Sequence, residues 1–129
     1  MERPILSAVH HIAVIGTNYE ASRHFYVELL GFEVVREVYR AERGDWKIDL
    51  RLDGCELELF IVENAPARPT RPEAAGLRHL AFRVESVADT AARLNALGIE
   101  TEPIRWDPYT EKAMTFFFDP DGLPLELHE

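Results

Sequence analysis

The chain says the same thing twice. His11-Ile12-Ala13-Val14 returns as His79-Leu80-Ala81-Phe82, 68 residues further on. At the same offset, Asp53-Gly54-Cys55-Glu56-Leu57-Glu58-Leu59 returns as Asp121-Gly122-Leu123-Pro124-Leu125-Glu126-Leu127. Each half therefore carries one histidine near its start and one glutamate near its end. Two copies are too few for a solenoid, so the repeat describes a duplicated supersecondary unit. Two such units brought together about a pseudo-twofold axis would converge two histidines and two glutamates on one point. That is the composition of a divalent-metal site.

Each unit reads as β-α-β-β-β. Val9–Ile15 is apolar and β-branched, a largely buried strand. Helical spacing follows over Thr17–Leu30, with Thr17 and Glu20 as a capping box and Gly31 as the stop. Strands are expected at Phe32–Tyr39, Trp46–Leu52 and Glu56–Val62, the last two joined by an Asp53-Gly54 turn. The second unit predicts a strand at Leu77–Val84, then a helix over Ser86–Leu97 that starts at Ser86 and Asp89 and stops at Gly98. Further strands are expected at Ile99–Arg105, Ala113–Phe118 and Leu123–His128. The expected organisation is one domain over residues 1–129, with unit one at about 8–63 and unit two at about 77–129. Between them, residues 64–76 hold Pro66, Pro69 and Pro72, which predicts a stiff, extended connector.

Strand alternation sorts the candidate residues by face. His11, Ala13 and Ile15 share one face, and Ile12 and Val14 the other. In the second unit His79 and Ala81 oppose Leu80 and Phe82. In the closing strands Glu56 and Glu58 oppose Leu57 and Leu59, and Glu126 and His128 oppose Leu125 and Leu127. A helix-covered face and a ligand-bearing face are thus assigned in both units without contradiction. A glutamate within an apolar strand is costly unless it is paired or binds metal. One strand histidine or glutamate is ordinarily just hydrogen-bonded or solvated; repetition of the pair at constant offset is what favours a metal. The chain has a single cysteine, Cys55, so a thiolate-rich structural zinc site is excluded. Two imidazoles and two carboxylates suit Zn²⁺, Ni²⁺, Co²⁺, Mn²⁺ or Fe²⁺.

Charge narrows the partners. The net charge is −9, and the basic residues are scattered, which argues against nucleic acid or an anionic membrane. Met1-Glu2-Arg3-Pro4-Ile5-Leu6-Ser7 has no long apolar run, so a cytoplasmic protein is expected.

These residues resemble the glyoxalase I / vicinal-oxygen-chelate superfamily over nearly the whole chain. The most specific parts are the strand-one His followed by a small residue, the Leu30-Gly31-Phe32 after the helix, and the Asp119-Pro120-Asp121-Gly122 ending with Glu126. The chain is similar above all to a YaeR-like bacterial subgroup, through Arg71-Pro72-Glu73, Gly76-Leu77-Arg78-His79-Leu80-Ala81-Phe82 and Asp107-Pro108-Tyr109-Thr110. The resemblance implies an α+β fold: two tandem βαβββ units forming a curved mixed sheet around a metal site, the glyoxalase/bleomycin-resistance/dioxygenase fold. It implies His11, Glu58, His79 and Glu126 as metal ligands and a homodimer. Glyoxalase I typically has an arginine four residues after its first metal histidine, contacting glutathione; this chain has Ile15 there.

The implied function is a metal-dependent, lactoylglutathione lyase-like lyase or isomerase acting on a small α-oxygenated substrate, with an enediolate stabilised by the metal. Glu126 is the first candidate for the base and Glu58 the second. The rivals are a ring-cleaving-type dioxygenase on the same scaffold and a non-catalytic small-molecule binding or resistance protein. Tyr109, Thr110 and Lys112, with Arg40, Arg43, Trp46 and Lys47 in the first unit, are weaker candidates for substrate contact. His128 has the parity to share the face of Glu126, whereas His10 is set aside because it points away from His11. His24 reads as surface, and Cys55 as a thiol without chemistry.

Overall fold

In the computed structural model, residues 4–129 are described. They form two compact units, residues 4–65 and 66–129. No described helix is long and apolar enough to cross a membrane.

The first unit is a four-stranded mixed sheet in the order β1-β4-β3-β2. Its strands are β1 (His11–Gly16), β2 (Glu33–Arg40), β3 (Asp45–Leu52) and β4 (Cys55–Ile61). β1 lies parallel to β4, and β3 is antiparallel to both β4 and β2. The parallel pair needs a crossover, and the helical segment after β1 supplies its first part. That segment starts as α1 (Tyr19–Arg23) and continues through π-helical turns over His24–Leu29. Its cap is Asn18, whose side chain accepts from the Ala21 amide at 2.8 Å, rather than the expected Thr17. The asparagine sits three residues before that amide, which gives its short carbonyl the reach for an N-cap. Within the π turns Phe25 and Tyr26 are both buried, as are Ile48, Leu50 and Leu59 of the same unit's sheet. Gly31, at φ 80, then ends the helix as expected.

The second unit repeats the plan as β5-β8-β7-β6. Here β5 is Leu80–Arg83, β6 Arg105–Trp106, β7 Ala113–Phe118 and β8 Pro124–His128. Helix α2 (Val87–Ala96) is capped by the expected Ser86, which accepts from the Asp89 amide, and it buries Val87, Ala91 and Leu94. Three expectations need correction. β5 begins at Leu80 rather than Leu77, because its partner β8 opens on Pro124, which has no N–H to extend the ladder. Ile99–Arg105 is not a strand but for its last residue. Pro103 interrupts it, and the stretch is held instead by the Glu102 amide on the Phe116 carbonyl and the Thr115 hydroxyl on the Glu102 carbonyl. The proline-rich connector turns back on itself at a Thr70–Glu73 bridge, and Arg68 Nη2 donates to the carbonyls of Leu77 and Arg78 at 3.0 Å each.

Two stability measurements check this account. Leu59 is fully buried, so Leu59→Ala is expected to lower the unfolding free energy by about 2–5 kcal/mol in urea titrations. Asn18→Ala is expected to cost about 0.5–2 kcal/mol through loss of the cap.

Candidate metal centre

In the first unit the parallel register sets Ala13 opposite Glu58 and His11 opposite Glu56. Alternation then puts His11, Ala13 and Glu58 on the face away from Val14, Leu57 and Leu59. Because Ala13 is small, the imidazole of His11 reaches diagonally across it. His11 Nε2 lies 3.5 Å from Glu58 Oε2. The other ring nitrogen, Nδ1, is 2.9 Å from Nδ1 of His10. The second unit builds the same pair: Ala81 stands opposite Glu126, and His79 Nε2 is 3.3 Å from Glu126 Oε1. His79 precedes β5 rather than lying in it, but its side chain keeps the parity the sequence implied.

A divalent cation fits this donor chemistry. Nitrogen and oxygen ligands sit about 2.0–2.2 Å from such an ion, so donors 3.3–3.5 Å apart can both reach one. A cation on Nε2 requires the proton on Nδ1. At 2.9 Å, Nδ1 of His10 is placed to accept a hydrogen bond from that N–H and so orients the ring, as partners of metal-bound imidazoles do. His10 therefore does not point away from His11 as strand parity predicts: it lies in the residue before β1, where alternation does not apply. Each pair supplies two donors. Among the described residues, no three His, Cys, Asp or Glu side chains form a metal-sized group. Each unit thus presents one histidine–glutamate pair.

The halves differ in what surrounds the glutamate. Next to Glu58 across the sheet is Asp49, which is buried and pairs with Lys47 at 2.6 Å and Arg36 at 2.8 Å. Lys47 Nζ also stands 3.8 Å from Glu58. The residue opposite Glu126 is Phe116, whose ring meets that of His79 edge-on at 5.2 Å. Among the described residues His79 is the ion-pair partner of Glu126, and no lysine or arginine joins it.

The Glyoxalase/Bleomycin resistance protein/Dioxygenase superfamily model matches residues 8–127. The chain belongs to that superfamily. It is 58% identical to YwkD of Bacillus subtilis (strain 168), over 97% of this chain and 98% of that protein. Identity to YaeR of Escherichia coli (strain K12) is 54%, over 96% and 97%. A glyoxalase family protein from Enterococcus faecalis superposes with a TM-score of 0.94 at 59% identity, covering 98% of this chain and all of that one. The chain is thus a YaeR-like member of the superfamily.

Other residues expected near the superfamily site have mixed fates. Lys47 is at the site, through Asp49 and Glu58. Trp46 is not: it points to the opposite face, between Tyr19 at 4.8 Å and Tyr39 at 5.3 Å. Arg40 is held by Asp45 through two 2.7 Å bonds and lies over Phe60. Arg43 is exposed in the turn beyond it. Tyr109, Thr110 and Lys112 are exposed on the Asp107 turn, whose carboxylate accepts from the Tyr109 amide. His128 shares the parity of Glu126 and ties β8 to that turn, its Nε2 being 3.2 Å from Asp107. The Glu129 carbonyl, and then Asp107, hold its imidazole above the usual histidine range. His24 is exposed, paired with Glu28, and Cys55 is half-buried with its thiol on the Glu56 carbonyl. Sequence reasoning overlooked Asp49 and Phe116, although each is the residue that strand pairing sets beside a glutamate.

A pH-dependent prediction follows from Asp45. Hydrogen bonds from Arg40 hold its carboxyl below the ordinary value of 3.8. A lowered folded-state value stabilises the fold above pH 3.8, and the gain is lost as pH falls through the folded-state value. Asp45→Asn should therefore be less stable than wild type at neutral pH, and their urea midpoints should converge in acid.

Proposed function

We propose that this chain is a metal-dependent lyase or isomerase of the glyoxalase I type, acting on a small α-oxygenated substrate. The observation that carries the reading is the same histidine–glutamate pair, at 3.5 and 3.3 Å, on the equivalent face of both units. His11, Glu58, His79 and Glu126 are assigned as ligands of one divalent cation, Zn, Ni, Co, Mn or Fe, with the two halves drawn from one chain or from two copies in a homodimer. When bound, the cation supplies Lewis-acid polarisation of two neighbouring substrate oxygens.

The protein's own part is to hold the substrate and move a proton. A carboxylate of the set takes the C–H proton from the hydroxyl-bearing carbon and returns it to the adjacent carbonyl carbon, while the hydroxyl proton passes to the former carbonyl oxygen, so the isomerisation needs no external acid or oxidant. Glu126 is the better placed for this. Glu58 is tethered from two sides, by His11 and Lys47, whereas Glu126 has His79 as its ion-pair partner and an aromatic neighbour. Less tethering leaves its carboxylate freer to shift toward substrate. Glu58 remains the second candidate. Ala13 and Ala81, both exposed beside the glutamates, leave room for the reacting carbon.

Two rivals make different predictions. A dioxygenase needs open positions for O₂ and typically two histidines with one carboxylate, so a fourth protein ligand counts against it. A binding or resistance protein saturates at stoichiometric ligand without turnover.

Elemental analysis of purified protein decides first. Wild type is expected to hold near-stoichiometric metal; Glu58→Gln, Glu126→Gln and His11→Ala should lose most of it, along with turnover of α-ketoaldehyde–thiol adducts. Equal metal content in all four proteins would defeat the assignment. His10→Ala is expected to keep the site but weaken metal affinity by about 10–100-fold, the usual cost of removing an orienting partner. A metal titration with a competing chelator measures it.

A further inference from the structure

The second unit contains a pocket of about 240 Å³ with the imidazole of His79 in its wall. Arg71, Arg78 and Arg105 line it, together with Glu73, Glu102 and Phe116. We propose that this pocket receives an anionic group of the substrate, a carboxylate or phosphate, and so restricts substrates to small α-oxygenated acids or phosphate esters. The assignment of this anion to the substrate rests on the function proposed above; the pocket's affinity for oxyanions does not.

The argument is one of unmatched charge. On the corresponding face of the first unit, Arg36, Arg40 and Lys47 each have an aspartate oxygen at 2.6–2.8 Å. Their charge is met within the fold. In the pocket only Arg78 is matched so closely, by Glu73 at 2.9 Å. Arg105 stands 3.6 Å from Glu102, and Arg71 pairs with no carboxylate among the described residues. Guanidinium groups present paired N–H donors that match a carboxylate or phosphate edge, and Arg is the side chain of choice for such groups. Set against Glu73 and Glu102, the three arginines leave one guanidinium in excess at the cavity, in a chain whose net charge is −9.

The pocket is also built to hold its shape. Phe116 carries Arg105 over its ring at 5.4 Å and meets the His79 ring edge-on at 5.2 Å, so guanidinium and imidazole share one floor. Arg68 clamps the connector to the carbonyls of Leu77 and Arg78, at the approach to His79. The volume is below the range of about 300–1,000 Å³ usual for drug-sized ligands, which points to a ligand of few heavy atoms.

The test uses the full chain stripped of metal with a chelator, so that it does not depend on the cation. Amide NMR titrations with inorganic phosphate, with malonate and with neutral acetamide are compared. One or both anions are expected to shift amides of Thr70–His79 and Arg105–Phe116, and acetamide to shift none. Whichever anion binds more tightly identifies the phosphate or the carboxylate as the group recognised. Arg71→Gln should weaken that binding roughly tenfold, with partial recovery in Arg71→Lys. Arg71 is exposed, so these variants are expected to fold as wild type does. Absence of shifts with either anion, or equal affinity in Arg71→Gln and wild type, overturns the proposal. Metal content separates the two readings. Anion binding by a chain that takes up no metal would leave the pocket standing and remove the metal function; metal uptake without anion binding would do the reverse.

Discussion

Everything at the candidate centre depends on the parallel pairing of the first and last strands within each unit. In β1–β4 and β5–β8 that pairing sets an alanine directly across from a glutamate. The alanine removes the side chain that would otherwise stand between imidazole and carboxylate. Register is equally demanding. A slip of one residue would turn Glu58 and Glu126 into the apolar layer and bring Leu57 or Leu125 out of it. The buried leucines under the helices therefore hold the glutamates in place, and core packing and site geometry are one constraint.

Duplication supplied two copies of a pair, but the copies have diverged where strand pairing touches them. Around Glu58 lies a charged lattice of Asp49, Lys47 and Arg36, in which a buried aspartate is paid for by two cations. Around Glu126 there is an aromatic ring. The same carboxylate is fixed in one unit and lightly held in the other. The cations show a parallel asymmetry, neutralised within the first sheet and left in part unmatched beside His79. The two histidine–glutamate pairs are alike, and their surroundings are not.

Much of the fold was legible in the residues because each signal is local. Period-two alternation placed the residues of the first and last strands of each unit on their faces, and Ser86, Gly31 and Gly98 marked helix ends as their cap chemistry requires. The errors were of another kind. The cap moved from Thr17 to Asn18, since both residues carry a capping oxygen and only the backbone path decides between them. Ile99–Arg105 is apolar enough for a strand, yet Pro103 and side-chain bonds from β7 override that preference. Three prolines suggested an extended connector, but a bridge and an arginine clamp fold it back.

The sequence by itself determined the repeated histidine–glutamate pairs and the face on which they lie, because repetition and alternation need only the order of residues. It therefore singled out His11, Glu58, His79 and Glu126, and it carried the resemblance to the superfamily. Only the tertiary structure decided what stands beside them. His10 against His11, Lys47 between Asp49 and Glu58, Phe116 under His79 and Arg105: each contact joins residues through strand register or a loop path. Such neighbours are set by the three-dimensional course of the chain, and a linear pattern of residue types carries no term for it.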